Sequence, residues 1–306
     1  MARKQVHRCS CIGEEVDRFL AGLQKRRYSR QTLATYAYAL ESFDCFLIAQ
    51  NIERLQDVRP DHLEQYQVHL LERKLSANTR ELFLRTLRQF SVWLAEAGLV
   101  FSNPAAELAL PRPTRSLQPI PTQAEVKRLL HQPDVSQPGG LRDRALLETG
   151  YSCGLRLAEL QGLNLFDIDA GQSVVRIQGK GSKERIVPLT SSAIRWVQTY
   201  LRHGRPRLLG KDHGEDALWL ARGGRRLGRE RIQQIPAKHA RAAGIRTPMS
   251  VHALRRACAT HMLENGAHPV QLQLFLGHSS ARTLSQYLQV SLRDMKKMHA
   301  KTKPGR

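Results

Sequence analysis

Residues 250–289, SVHALRRACATHMLENGAHPVQLQLFLGHSSARTLSQYLQ, decide how the rest of the chain is read. Leu254, Cys258 and Met262 recur at four-residue spacing and predict a helix with one buried stripe. On that helix His252 and Arg255 share a face, because residues three apart are surface neighbours. Gly266 reads as its stop signal, with Pro269 shortly after. A second histidine, His278, sits in a Leu-Gly-His triplet, and Tyr287 follows nine positions later. Two imidazoles, a guanidinium and a phenol in one short stretch read as a site that holds a phosphate and attacks it. Taken singly, each has a plainer reading: a histidine that hydrogen-bonds within the fold, or a tyrosine that packs.

Charge supports the first reading. Lys and Arg total 48 against 27 Asp and Glu, giving +21 and an isoelectric point near 10.5. So basic a chain repels itself, and a polyanion is its natural partner. The excess is uneven: residues 1–110 hold 15 basic and 13 acidic residues, residues 111–306 hold 33 and 14. The 306 residues leave room for two domains, each able to bury a core. The five cysteines lack paired spacing. Cys45, Cys153 and Cys258 are expected to be buried small hydrophobes, and Cys9 and Cys11, beside His7, lack a second pair to complete a zinc site. No metal and no cofactor is expected. The N-terminus lacks the apolar segment of a signal peptide, and no apolar run approaches the roughly eighteen residues of a membrane span. The expected setting is the reduced cytoplasm.

Working outward, residues 1–13 read as a basic tail. A helical domain follows over 14–109, with helices from Glu14 to Lys25, after Ser29, from Asp61 to Glu72 and after Ser76, the serines acting as N-caps. Lys25, Arg26, Arg27 and Arg30, then Arg80 and Arg85, lie near helix starts and are candidate phosphate contacts. Four prolines in LPRPTRSLQPIPT make 110–121 a semi-stiff linker. A second domain over 122–306 opens on a helix capped by Thr122, then a Pro/Gly loop at 133–140 and a helix from Leu141 to Ser152. Another helix begins at Gly154-Leu155-Arg156. Residues 174–177 and 186–189 predict strands flanking a basic turn from Gly179 to Arg185 that includes Lys180, and in which Lys183 and Arg185 are candidate DNA contacts. Helices dominate thereafter, interrupted by a Gly/Arg-rich stretch at 222–229 in which Arg225 and Arg226 are candidate DNA contacts. The fold class expected is mainly α with a small β-sheet: an all-α domain followed by an α+β domain.

Breaking a phosphodiester without metal needs fixed positive charge, a nucleophile and a proton donor for the departing oxygen. Guanidinium suits the first task, being always charged and donating in a planar fork. A phenol with a reference pKa near 10 is only about one part in a thousand ionised at pH 7, a cost on the order of 4 kcal/mol that neighbouring Arg and His offset. Arg156, Lys180, His252, Arg255, His278 and Tyr287 are the candidates for these parts, and the first two also have plainer readings: Arg156 as an ion-pair partner of Glu159 on its own helix, Lys180 as a solvated charge at a hairpin tip. No carboxylate cluster suited to two metal ions stands out.

The segments TGYSCGLRLAELQGL around Arg156, VRIQGKGSKERIVPL around Lys180, HALRRACATHMLENGA around His252 and Arg255, and LGHSSARTLSQY ending at Tyr287 resemble the tyrosine recombinases, the phage integrase family, and within it the Xer-like branch. The resemblance covers nearly the whole chain. It implies a helical core-binding domain, a catalytic domain, and site-specific recombination of double-stranded DNA through a 3′-phosphotyrosyl intermediate. It further implies that Arg156 and Arg255 clamp the scissile phosphate, Tyr287 attacks, Lys180 protonates the leaving 5′-oxygen, His252 handles the tyrosyl proton and His278 hydrogen-bonds the phosphate. A homo- or hetero-tetramer on paired sites, joined by the tail after Tyr287, is part of the same expectation. Arg256 directly after Arg255 departs from many relatives; the spacing from His252 keeps the catalytic role on Arg255. Two other readings use the same features: a DNA-binding regulator or architectural protein on this fold, and a type IB topoisomerase.

Overall fold

The computed structural model describes residues 12–111, 118–178, 184–210 and 215–277. The expectations placed on Cys9, Cys11, Lys180, Lys183, His278, Tyr287 and the tail therefore lie outside the described residues. The chain divides into two units, Met1–Leu117 and Gln118–Arg306.

The first unit holds α1 (Gly13–Lys25), α2 (Arg30–Ala49), α3 (Pro60–Glu72) and α4 (Ala77–Glu96). Ser29 and Ser76 accept hydrogen bonds from the backbone N–H groups of Thr32 and Thr79, each at 3.1 Å, satisfying donors a helix start leaves unpaired. Pro60 begins α3, a position where its missing N–H costs nothing. Phe19, Leu40, Phe43, Leu47, Tyr66, Leu70 and Phe90 form the buried core. Phe19 meets Phe90 edge-on at 5.4 Å and Phe43 meets Tyr66 at 5.0 Å. Each such side chain contributes about 1.5–3 kcal/mol through burial. Cys45 departs from expectation. Phe43, Phe46 and Leu47 occupy the inner face of α2, and the thiol between them in sequence points outward and is exposed.

The second unit runs α5 (Gln123–Leu130), α6 (Pro138–Cys153), α7 (Leu157–Gly162), β1 (Ile168–Asp169), β2 (Val174–Gln178), β3 (Glu184–Pro188), α8 (Ser191–Thr199), a π-helical turn (Tyr200–Gly204), α9 (Arg205–Leu209), α10 (Arg229–Ala242), α11 (Val251–Glu264) and α12 (Pro269–Leu276). The three strands form one antiparallel sheet in sequence order, with Val175 opposite Val187 and Gln178 opposite Glu184. Their inward residues join one core with Leu160, Val197 and Trp219. The Trp219 indole N–H donates to the Leu160 carbonyl at 2.8 Å, so even this buried polar atom is satisfied.

Three local expectations need correction. α6 starts at Pro138, not Leu141: the proline sits at N1, and Gly140 packs where a Cβ would lie 1.8 Å from the Asp134 carbonyl. Arg156 precedes α7 as its N-cap, in extended conformation, instead of lying within a helix begun at Gly154. Glu184 and Arg185 belong to β3, so the described ladder reaches two residues further into the predicted turn.

α6 is the central element, buried along most of its length. Its charged residues are paired. Asp143 accepts from Arg142 at 2.7 Å and lies 3.1 Å from His239 Nε2, while Arg144 binds Glu148 at 2.8 Å under the face of Trp196. The mainly helical fold with a small sheet is the class read from the sequence. Among the described residues no helix is long and apolar enough to cross a membrane.

Candidate active site

Two helix ends build the site. α6 terminates at Gly154, whose φ of 57° puts it in the left-handed region, and a Cβ there would stand 2.8 Å from Leu276. α12 terminates at Gly277, with φ 64°. A finished helix leaves carbonyls without intrahelical partners. Here they face arginines. Arg255, only 2% exposed on α11, donates Nη1 to the Gly154 carbonyl and Nη2 to the Leu276 carbonyl at 2.7 Å. Arg156 donates Nη2 to the Gly277 carbonyl at 3.2 Å.

Glu159 lies between them. Its carboxylate accepts the Arg156 backbone N–H at 2.8 Å, Arg156 Nη1 at 2.8 Å and both terminal nitrogens of Arg185 at 2.9 Å, and lies 3.9 Å from Arg255 Nη1. Burial opposes its charge, but the hydrogen bonds from Arg185 and from the Arg156 backbone outweigh this and hold its pKa down at about 2, against an ordinary 4.5. Because the folded value lies below the unfolded one, the ionised carboxylate stabilises the fold above pH 4.5. That contribution, roughly 3 kcal/mol, is lost as pH falls from 4.5 through 2. Chemical denaturation at stepped pH should therefore show the wild-type stability falling more steeply across this window than that of Glu159→Gln; parallel curves would refute it.

His252 occupies the first turn of α11, which Ser250 caps by accepting the Ala253 N–H at 3.0 Å. Its pKa is lowered, first by partial burial and then by the guanidiniums of Arg256, Arg255 and Arg156. The imidazole is therefore neutral at physiological pH and able to accept a proton. Arg156 keeps 44% of its side chain exposed, so its guanidinium presents an open face while Glu159 fixes its back. The arrangement can hold an anion against preorganised donors and receive a proton beside it.

Of the predicted catalytic residues, Arg156, His252 and Arg255 are thus brought together. The predicted DNA contacts divide. Lys25, Arg26, Arg27 and Arg30 are exposed around the turn between α1 and α2, and Arg225 is exposed in the second unit. Arg80 is half-buried, and Arg85 is exposed while pairing with Glu81. Arg185 and Arg226 do not stand free on the surface. Arg185 forks onto Glu159, and Arg226 donates to the carbonyls of Gln161 and Leu163 at 3.0 and 3.1 Å and to Asn164 Oδ1. A nearby carboxylate claims the first guanidinium, and carbonyls at the end of α7 claim the second. Glu159 itself was legible only as a partner for Arg156; its i+3 spacing was visible, but Arg185 comes from 26 residues away.

This architecture is that of solved site-specific recombinases. The XerH recombinase bound to a palindromic difH substrate matches with a TM-score of 0.74 at 19% identity, covering 98% of this chain and 91% of that one. A lambda integrase dimer on a COC′ core site matches with a TM-score of 0.71 at 17% identity, covering 90% and 94%.

The chain belongs to the phage integrase family, the tyrosine recombinases, enzymes that break and rejoin DNA: the family model matches residues 121–293, and the family's N-terminal SAM-like domain matches residues 16–98. It is 36% identical to the tyrosine recombinase XerD of Pseudomonas aeruginosa over 290 residues, 94% of this chain and 97% of that protein. It is likewise 36% identical to XerC of Chlamydia pneumoniae over 244 residues, 80% of this chain and 78% of that protein.

Proposed function

We propose that this recombinase acts on double-stranded DNA through Tyr287, with Arg156 and Arg255 holding the scissile phosphate. The Tyr287 phenolate oxygen attacks phosphorus, and the bond to the 5′-oxygen breaks as the 3′-phosphotyrosyl ester forms. The phenolic proton passes to His252, and Lys180 donates a proton to the departing 5′-oxygen, leaving a 5′-hydroxyl. His278 donates a hydrogen bond to a non-bridging oxygen. Attack by a 5′-hydroxyl on the ester reverses each transfer and rejoins a strand. Phosphate bond energy is retained in the ester, so ATP is not called for, and side chains take every charge-stabilising role without a metal.

The observation that carries this reading is the pair of guanidiniums fixed by helix-end carbonyls and one ionised carboxylate, with a neutral imidazole beside them. In it the exposed bases of the first unit, Lys25, Arg26, Arg27, Arg30 and Arg85, the half-buried Arg80, and Arg225 in the second unit contact DNA backbone, as does Lys183. Subunits assemble as a homo- or hetero-tetramer on paired sites through residues 291–306, in the cytoplasm.

The test is to recover covalently attached DNA from cells expressing the protein, sequence the attachment points and map the modified peptide. Expected is one clustered DNA sequence joined to the peptide containing Tyr287. DNA bound without a covalent link would favour a regulator or architectural protein. Supercoil relaxation with no sequence preference would favour a type IB topoisomerase.

A further inference from the structure

Arg185 is out of place by sequence pattern. On β3 it alternates with exposed Glu184 and Ile186, so it occupies, with Val187, the inward side of the strand where an apolar residue is the norm. Its side chain is only 16% exposed. Both terminal nitrogens form a fork onto the two oxygens of Glu159 at 2.9 Å, the planar geometry that lysine cannot supply. The other face of this guanidinium is covered by backbone. A Cβ added to Gly277 would lie 3.0 Å from its Cζ and Nη1, so the terminal turn of α12 rests directly on it. The carbonyl of that same Gly277 receives Arg156, and the Leu276 carbonyl receives Arg255.

We propose that Arg185 is a positioning residue of the recombination site, not a DNA contact. It orients Glu159, through which Arg156 is aimed, and it forms the seat for the Gly277 turn that leads into His278. Lying on β3, it joins α7 and the end of α12 through one ion pair. This inference rests on the reading of Arg156 and Arg255 as the phosphate clamp.

The probe is a nicked duplex built from the sequence recovered by covalent capture. Arg185→Gln should bind this duplex within about twofold of wild type with an unchanged salt slope, whereas losing a phosphate contact would flatten that slope by about 0.9. Its single-turnover cleavage at saturating protein should fall about 100-fold, and Arg185→Lys, which keeps the charge without the fork, should recover only part of this. Gly277→Ala supplies a second route to the same seat: it places a methyl against the guanidinium and strains a left-handed residue, and should lower cleavage with binding retained. Combined with Arg185→Gln its loss should be clearly less than multiplicative, as for residues acting as one unit. Weaker binding with a flatter salt slope and normal saturated cleavage would overturn the proposal, as would wild-type cleavage by Arg185→Gln or fully multiplicative losses. If wild type itself forms no adduct, it is the recombinase reading that fails.

Discussion

Tyr287→Phe will leave no DNA attached to the protein, below about one part in ten thousand of the wild-type adduct, while binding the same duplex within about twofold. The substitution removes one oxygen and no charge, so the many phosphate contacts that set affinity stay in place. What disappears is the only atom to which the reading assigns attack on phosphorus. Among the described residues of the second unit, the two phenols are poorly suited to substitute. Burial pushes Tyr151 and Tyr200 up to about 12, and the Tyr151 hydroxyl is engaged with His261 Nδ1 at 2.8 Å. Denaturing electrophoresis of a nicked substrate incubated with each protein measures the adduct directly. An adduct persisting in the phenylalanine variant would place the nucleophile elsewhere and sink the assignment.

Glu159→Gln should damage fold and chemistry together. The change is nearly isosteric, but it leaves the guanidiniums of Arg156, Arg185 and Arg255 around a neutral amide in a buried setting. Breaking a buried ion pair by removing one partner costs about 3–5 kcal/mol. For a domain of this size that lowers the melting temperature by roughly 6–20 °C. Cleavage at saturating protein should fall about 100- to 1000-fold, because Arg156 loses the group that holds its back. DNA affinity should hold or rise, since a negative charge near the phosphate is gone. Scanning calorimetry, a filter-binding titration and single-turnover cleavage separate the three effects. A variant that melts and cleaves like wild type would show the carboxylate to be incidental.

The first unit was readable because each helix announces itself locally. Ser29 and Ser76 cap where a serine precedes an apolar stripe, and Leu40, Phe43 and Leu47 recur on one face. In the second unit such local signals fail at telling places. Pro138-Gly139-Gly140 has the composition of a loop, yet it starts α6, because proline suits N1 and Gly140 must fit against Asp134. The two residues of β1 are too few for any alternation to show. At the site, Arg156, His252 and Arg255 were legible through the segments that resemble the tyrosine recombinases; residue type and spacing alone left each a plainer reading. Glu159 as their common anchor was not legible, because its partners are distributed over the N-cap of α7, β3 and α11 and only the folded chain collects them. The same nonlocality hid the fate of Arg185 and Arg226, which composition alone assigns to the surface.

That the arginines are moored to peptide oxygens of Gly154, Leu276 and Gly277 has a practical meaning for redesign. A mooring made largely of main chain survives exchanges of side chains elsewhere, so long as the two helix ends and the Glu159–Arg185 pair are left in place. Libraries that vary exposed side chains away from these groups can therefore be screened without retuning the cutting apparatus, provided Gly154, Glu159, Arg185 and Gly277 are kept.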